Sequence, residues 1–371
     1  MPRNRGLNLD RFVTSVPPDA LEQYFARLPD DRRPGGWATL NAAALAEWLY
    51  DPAQAERAAL VLKDFQKVND IARGAAPSLY RACEQFGIPL VDEDEQPEAV
   101  ALRLFVTAPE AFDFAWSQFL LYATGSKLST FLIPKDKVLL DDDHVASFSR
   151  AISGWLAGQA KGQQCRVRRF MDGDEAVILV QRGTYVQTVP FWNGDQIAMQ
   201  SFRPAVEDVL VWEPEGFLRI RSSLSGDRRA YLYHFAAQFA GDTALAEEAE
   251  RTEIYSLVPL QDGSFHYRGF GNVVHVDLVK ARLKLFGGRG TVIDIRSSDV
   301  LESMRSELRG RLSLESGTLT MARLRFHIRG ASGRERTITF EIEPPGRTDL
   351  TEREDTDQVI AYLKQEGVML R

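Results

Sequence analysis

Apolar positions recur every three to four residues through the first 160 residues and every second residue after about residue 162, which predicts helices followed by strands. Pro17-Pro18-Asp19 opens an amphipathic run with Leu21, Tyr24, Phe25 and Leu28 on one face. Leu45, Trp48 and Leu49 mark a second run that Asp51-Pro52 stops. A third, from about Gln54 to Arg73, carries Leu60, Leu62, Phe65, Val68 and Ile71, and Pro77 opens a fourth that ends at Gly87 and Pro89. The window Pro109 to Thr124 is apolar nearly all round, as buried helices are. Asp141-Asp142-Asp143 precedes a helix with Val145, Phe148, Ile152, Trp155 and Leu156. Carboxylates at that position suit the unpaired N–H groups and positive dipole of a helix start.

Beyond residue 162, six predicted strands read as an antiparallel meander: Cys165–Phe170, Ala176–Gln181, Thr184–Phe191, Gln196–Phe202, Val206–Trp212 and Phe217–Ser222. Asn193-Gly194 has the tolerance for positive φ that a type I′ hairpin needs, and Pro190 suits an edge or a bulge. A helix over Asp227–Ala240 stops at Gly241, and a short one follows near Thr243–Arg251. Strands return at Tyr255–Leu260, Phe265–Phe270, Val273–Phe286 and Thr291–Arg296. Ser297-Ser298-Asp299 caps a helix to Leu308, strands lie near Thr318–Arg329 and Arg336–Glu343, and a last helix runs Asp355–Gln365. The fold expected is α+β: a helical domain over 1–161, the meander with its helices over 162–252, and a C-terminal α+β domain over 253–371.

Composition narrows the class. At 371 residues, with 44% hydrophobic and 26% charged, the chain has the make-up of a globular protein of two or three domains. No apolar run approaches a membrane span, no apolar leader follows Met1, and two distant cysteines, Cys83 and Cys165, form neither a disulfide framework nor a zinc set. A cytoplasmic protein without membrane contact is the expectation. Net charge is −7, which excludes a general nucleic-acid coat, yet the charge is uneven. Residues 1–161 carry 17 basic and 22 acidic side chains, whereas 275–336 carry 13 and 7, and only nine of the 45 basic residues are lysine. Arginine supplies a planar, permanently charged fork suited to phosphate and carboxylate.

Catalytic signatures are missing. No Gly-x-Ser-x-Gly elbow occurs, and neither cysteine has a His or Asn pattern around it. Gly287-Gly288-Arg289-Gly290 lies between predicted strands, so it reads as a tight turn or an anion-binding turn presenting Arg289, not as a nucleotide loop. The best metal constellation is His275 and Asp277, same-facing on one strand, with Asp294 on the next. Such a set suits Mg²⁺ or Mn²⁺ in phosphodiester cleavage, but the glutamate-x-lysine expected beside it is lacking. No cofactor is implied.

Arginine alternation is the main functional signal. Between Met321 and Arg329 one face holds Ala322, Leu324, Phe326 and Ile328, and the other Arg323, Arg325, His327 and Arg329. Arg334 and Arg336 follow at the turn, and Arg219 and Arg221 alternate in the same way. A sheet face of guanidinium groups suits phosphate, because each phosphate neutralised releases counterions. The opposing reading is self-pairing: if Ile338, Phe340 and Ile342 share the apolar face, Glu335, Thr337, Thr339, Glu341 and Glu343 oppose the arginines. Aromatic residues that could stack on bases, among them Tyr185, Phe191, Trp192, Phe202 and Trp212, crowd the meander, where core packing is the competing role.

Ser201-Phe202-Arg203-Pro204, Asp208-Val209-Leu210-Val211-Trp212, Gly216-Phe217-Leu218-Arg219-Ile220, Arg229, Tyr231 and Phe239-Ala240-Gly241-Asp242 together resemble uncharacterised bacterial proteins encoded near anti-phage defence genes. The resemblance spans about 40 residues and implies an accessory role in such a system, with no catalytic or binding residue attached. The expectation is therefore a non-catalytic recognition or assembly subunit. Its arginine-bearing sheet (Arg219, Arg221, Arg289, Arg323, Arg325, Arg329, Arg334 and Arg336) would meet nucleic acid or an acidic protein, and its helical half would dock a protein partner. The alternatives are a metal-dependent nuclease built on His275, Asp277 and Asp294, and a scaffold that binds protein alone.

Overall fold

A computed structural model describes residues 7–370 except 30–32, 35, 37–41, 52–53, 93–94, 123–126, 194–195, 287–289, 308, 310, 331–332 and 351–355. The fold is α+β, with a helical N-terminal region and a large antiparallel sheet packed with helices. No described helix is long and apolar enough to cross a membrane. The chain divides into two compact units, 1–123 and 124–371. The first boundary therefore falls at 123/124, not at 161. The second one expected, at 252/253, lies inside a single unit, because strands from both sides of it join one sheet.

The first unit contains α1 (Leu9–Ser15), α2 (Pro18–Arg27), α3 (Ala42–Tyr50), α4 (Ala55–Gly74), α5 (Ala76–Gln85), α6 (Pro97–Thr107) and α7 (Pro109–Tyr122). Prolines stand in the first turns of α2, α5 and α6, where a missing N–H costs nothing. Phe12 and Tyr24 pack their rings on Phe65 at 4.9 and 5.1 Å between centroids, and the Tyr24 hydroxyl donates to Asp64 at 2.9 Å. Burial raises the Asp64 carboxyl above its ordinary range. Helix α7 is buried around most of its circumference, as its composition predicts.

The second unit is built on β1 (Leu128–Leu132), α8 (Asp142–Gly158), β2 (Cys165–Asp172), β3 (Glu175–Gly183), β4 (Gln187–Asn193), β5 (Gln196–Phe202), β6 (Ala205–Trp212) and β7 (Phe217–Arg221). Helices α9 (Ser225–Phe239), α10 (Ala244–Arg251) and α11 (Val258–Gln261) follow. The chain closes with β8 (Val273–Leu285), β9 (Val292–Arg296), α12 (Val300–Ser306), β10 (Gly317–Arg329), β11 (Glu335–Glu343), β12 (Arg347–Thr348) and α13 (Thr356–Gln365). Ten strands form one sheet in the order β2-β3-β6-β7-β1-β12-β11-β10-β8-β9. Asp141 caps α8 by accepting the His144 N–H at 2.9 Å, and Asp299 caps α12 through Glu302 at 3.1 Å.

Three details differ from the pattern-based expectation. All six strands of the expected meander exist, but β3 pairs directly with β6, and β4 and β5 leave the sheet as a two-stranded ribbon of their own. Arg203 ties the base of that ribbon by donating to the carbonyls of Ala160 (2.8 Å) and Thr184 (2.7 Å). The Asn193-Gly194 turn lies partly outside the described residues. In the segments 255–260 and 265–270 only isolated bridges form, Tyr255 with Met369 and Arg268 with His275. Pro259 has no N–H for a ladder and opens α11 instead. Strand β1, which the pattern does not reveal, inserts between β7 and β12 and completes the sheet.

Register assigns the faces. Opposed residues point the same way, so Ile220, Ser129, Arg347, Glu343 and, two residues on, Glu341 and Arg323 share one face. Over β3, β6 and β7 that face is covered by α8, α9 and α10, through Ile178, Leu210, Ile220, Phe148, Phe235 and their neighbours. Over β8, β10 and β11 the opposite face is the covered one, where Leu324, Phe326, Phe340 and Ile342 pack with Met304 of α12 and Tyr362 of α13. The two halves of the sheet thus bury opposite sides.

Candidate functional site

This switch leaves one polar face of β8–β12 open. Among the described residues its strands carry on that side Arg347, Arg323, Arg325, Arg329, Lys280, Arg282, Lys284 and Arg296, eight cationic groups, against five carboxylates, Glu343, Glu341, Glu335, Asp277 and Asp294, with Lys127 and Asp349 beside Glu341. The ladder of β10 meets β11 in the register Arg323–Glu341, Arg325–Thr339, His327–Thr337 and Arg329–Glu335. On its other side it meets β8 as Arg323–Lys280, Arg325–Asp277 and His327–His275. Thr337, Thr339, Lys284, Arg296 and Arg329 are exposed.

Compensation is strongest at the centre of this face and fades outward. Glu341 lies 3.3 Å from Lys280 and 3.6 Å from both Lys127 and Arg323, and Lys127 also holds Glu343 at 2.5 Å. Burial pushes the Glu341 carboxyl up, but Lys127, Lys280 and Arg323 together hold it below the ordinary glutamate value. Arg325 reaches Asp277 only at 3.8 Å, longer than a hydrogen bond. Toward the rim, Arg329, Arg334, Lys284 and Arg296 make no ion pair within 4 Å among the described residues.

His275 and His327 stack, with 3.7 Å between centroids and planes 16° apart. Two carboxylates bracket His327: Asp277 at 3.0 Å from Nε2 and Glu335 at 2.8 Å from Nδ1. Ligand atoms of His275, His327 and Glu335 lie within 4.8 Å of one another. Zinc ligands lie about 2.0–2.2 Å from the ion, and each ring must point a lone pair at it in its own plane. Near-parallel stacked rings do not do so, and one imidazole would have to turn to bind a shared ion. Asp294 is not part of this cluster. Arg282 holds it in a two-bond fork at 2.6 and 2.9 Å, five residues along β8 from Asp277, roughly 15 Å at strand rise. The Arg282 hydrogen bond keeps the Asp294 carboxyl below its ordinary range.

The remaining arginines do not converge on this face. By register, Arg219 and Arg221 project from the other side of the sheet. Arg219 is ion-paired to Glu213 and, at 3.6 Å, to Glu175. Burial lowers the pKa of Arg221. Arg336 stands opposite Ile328, also on the other side at the strand end, and exposed Arg334 lies in the β10–β11 turn. Arg289 lies outside the described residues. Of the aromatics considered for stacking, Trp212 is buried against Phe235 with 5.5 Å between centroids, while Tyr185 and Phe202 are exposed near the ribbon.

Sequence reasoning missed a second ionic constellation, under α9. Arg182, at the end of β3, is 2% exposed and donates from Nε to Asp208 (2.8 Å) and to the Tyr231 hydroxyl (2.7 Å). Its Nη2 donates to Asp227 at 2.5 Å, and Lys161 also donates to Asp227. Tyr231 donates in turn to Asp208 at 2.7 Å. Two cations thus meet two carboxylates with every member buried. Burial raises the Asp208 carboxyl despite the Arg182 charge beside it. The signal was present in the strand parity: Arg182 continues the inward series Ala176, Ile178, Val180, and Asp208 the series Leu210, Trp212.

No protein-family model matches the chain, and no curated protein matches it. Function must therefore be argued from the site's own chemistry.

Proposed function

We propose that the chain is a non-catalytic recognition subunit whose open sheet face, β8–β11, binds nucleic acid. The observation that carries this reading is the excess of cationic groups on this partly exposed face, with Arg325 loosely paired and Arg329 unpaired among the described residues. Ion pairs at 3.6–3.8 Å on a half-exposed surface are worth about 0–1 kcal/mol, so a phosphate can replace them at small cost. Release of condensed counterions then favours binding. Arg325, Arg329, Arg323, Arg296 and Lys284 are the contacts proposed, with Arg334 at the turn. A place among the proteins of an anti-phage system agrees with this reading and rests only on the local resemblance of residues 201–242.

Fluorescence anisotropy with labelled single-stranded DNA, duplex DNA and RNA tests the proposal. Affinity should fall steeply with salt, and the Arg325→Glu/Arg329→Glu double variant should flatten the log–log salt slope by about 2. Binding that ignores salt, or that survives the double variant, counts against it. An acidic polypeptide that binds in the same manner while nucleic acid does not would assign the face to a protein partner.

The grouping of His275, His327 and Glu335 favours a second reading, a divalent-metal nuclease. In that reading His327 and Glu335 join His275 and Asp277, and Asp294 drops out because Arg282 engages it. Cleavage dependent on Mg²⁺, Mn²⁺ or Zn²⁺ and lost in Asp277→Ala would establish it. Absence of cleavage with all three removes it.

A further inference from the structure

The β4–β5 ribbon is the least explained element of the second unit. A two-stranded hairpin is marginal by itself in water, yet among the described residues this one pairs with no other strand. Its apolar side chains face solvent: Ile197 is 65% and Met199 63% exposed, and Val189 and Phe202 are exposed as well. From Val186 to Phe202 the one charged residue in the sequence is Asp195. A neutral arm does not suit a phosphate backbone, which is read through Lys and Arg. It suits a strand of protein.

We propose that β5 is a dimerisation strand, Gln196–Phe202 pairing antiparallel with the same strand of a second copy about Met199. Symmetry and charge select this occupant. In a two-fold contact each residue near the axis meets itself or a close neighbour of its own kind, so a charge there meets its like. The sheet's outer strands fail that condition: β2 would oppose Arg168 with Arg169, and β9 would place Asp294 on itself. Pro190 interrupts the hydrogen-bonding row of β4. Strand β5 has no charge and no proline, the features that usually protect an edge. Pairing about Met199 sets Ile197 opposite Ser201 and Ala198 opposite Gln200 and yields a four-stranded sheet. Met199, Ile197 and Pro190 of each copy then share one face.

Light scattering and sedimentation of the purified full chain test this. The wild type should be a dimer, and Met199→Lys, which sets two ammonium groups at the axis, should weaken self-association at least about 10-fold while circular dichroism shows the fold retained. Met199→Cys should cross-link to itself under mild oxidation, with the wild-type chain (Cys83, Cys165) as the control. A monomeric wild type overturns the proposal, as does a dimer that Met199→Lys leaves intact or a dimer whose Met199→Cys form does not cross-link. Neither result bears on the salt-dependent binding proposed for the opposite half of the sheet.

Discussion

Arg182 and Arg325 sit on strands of one sheet, each beside carboxylates, in opposite physical situations. Arg182 is sealed beneath α9, bonded to Asp208, Asp227 and the Tyr231 hydroxyl, with Lys161 donating to Asp227 and Tyr231 to Asp208. Arg325 lies on the polar face, 3.8 Å from Asp277, its one ion-pair partner among the described residues. The buried group has lost water and retains its charge only because its partners replace that water. The surface group keeps much of its hydration, and its pair adds little to stability. Charge count alone does not separate the two. Burial decides which arginine holds the fold and which remains available to a ligand.

The comparison breaks most readily at the buried end. Arg182→Leu leaves Asp208 and Asp227 facing a single cation in a dry site, and breaking such a pair typically costs about 3–5 kcal/mol. Urea unfolding should show a midpoint shift of that order. A loss below about 1 kcal/mol would mean that water reaches the cluster. Next in size comes Arg219→Ala, on the other side of the sheet from the ladder. Removing a half-buried partner of Glu213 should cost about 1–2 kcal/mol and leave the salt slope of nucleic-acid binding unchanged. A weakened slope in that variant would show that the face assignment from register is misplaced.

These arginines also show what the sequence makes legible. The α+β class, most of the helices and the β10–β11 register followed from periodicity, because apolar spacing is local information. Arg323 opposite Glu341 and Arg325 opposite Thr339 were readable as soon as Ile338, Phe340 and Ile342 were placed on the core side. Two kinds of fact were not local. Strand β1 is a five-residue segment whose place between β7 and β12 depends on partners more than 80 residues away. That the halves of the sheet bury opposite faces depends on where α8–α10 and α11–α13 pack. Period alone therefore could not tell that Arg219 and Arg323 point apart. The His275–His327 stack was half legible: same-facing His275 and Asp277 were seen, but a partner strand was needed to replace Asp294 with His327.

At the surface end the stability effects shrink and the binding effects grow. Arg329→Ala, exposed and without an ion pair among the described residues, should change stability by no more than about 0.5 kcal/mol. The same change should reduce the salt slope by about 1. An unfolding shift of several kcal/mol would place Arg329 with Arg182 rather than with Arg325.

Glu341 gives the finest test, because it belongs to both behaviours. Lys127, Lys280 and Arg323 hold its carboxyl below the ordinary glutamate value, so the folded chain ionises it at lower pH than the unfolded chain does. The unfolded state then binds more protons in the interval between the two values. The stability Glu341 contributes is complete above the unfolded value, about 4.3, and is lost as pH falls through the folded one. Glu341→Gln should cost at most about 1 kcal/mol at neutral pH, and its difference from wild type should shrink as acid protonates the folded carboxyl. The same substitution releases Lys280 and Arg323 from their ion pair, while Lys127 keeps Glu343. Binding of nucleic acid should tighten and its salt slope steepen even as the fold weakens slightly. If stability and affinity fall together, Glu341 orders the arginines for the ligand instead of competing with it, and the central pairs belong to the binding surface.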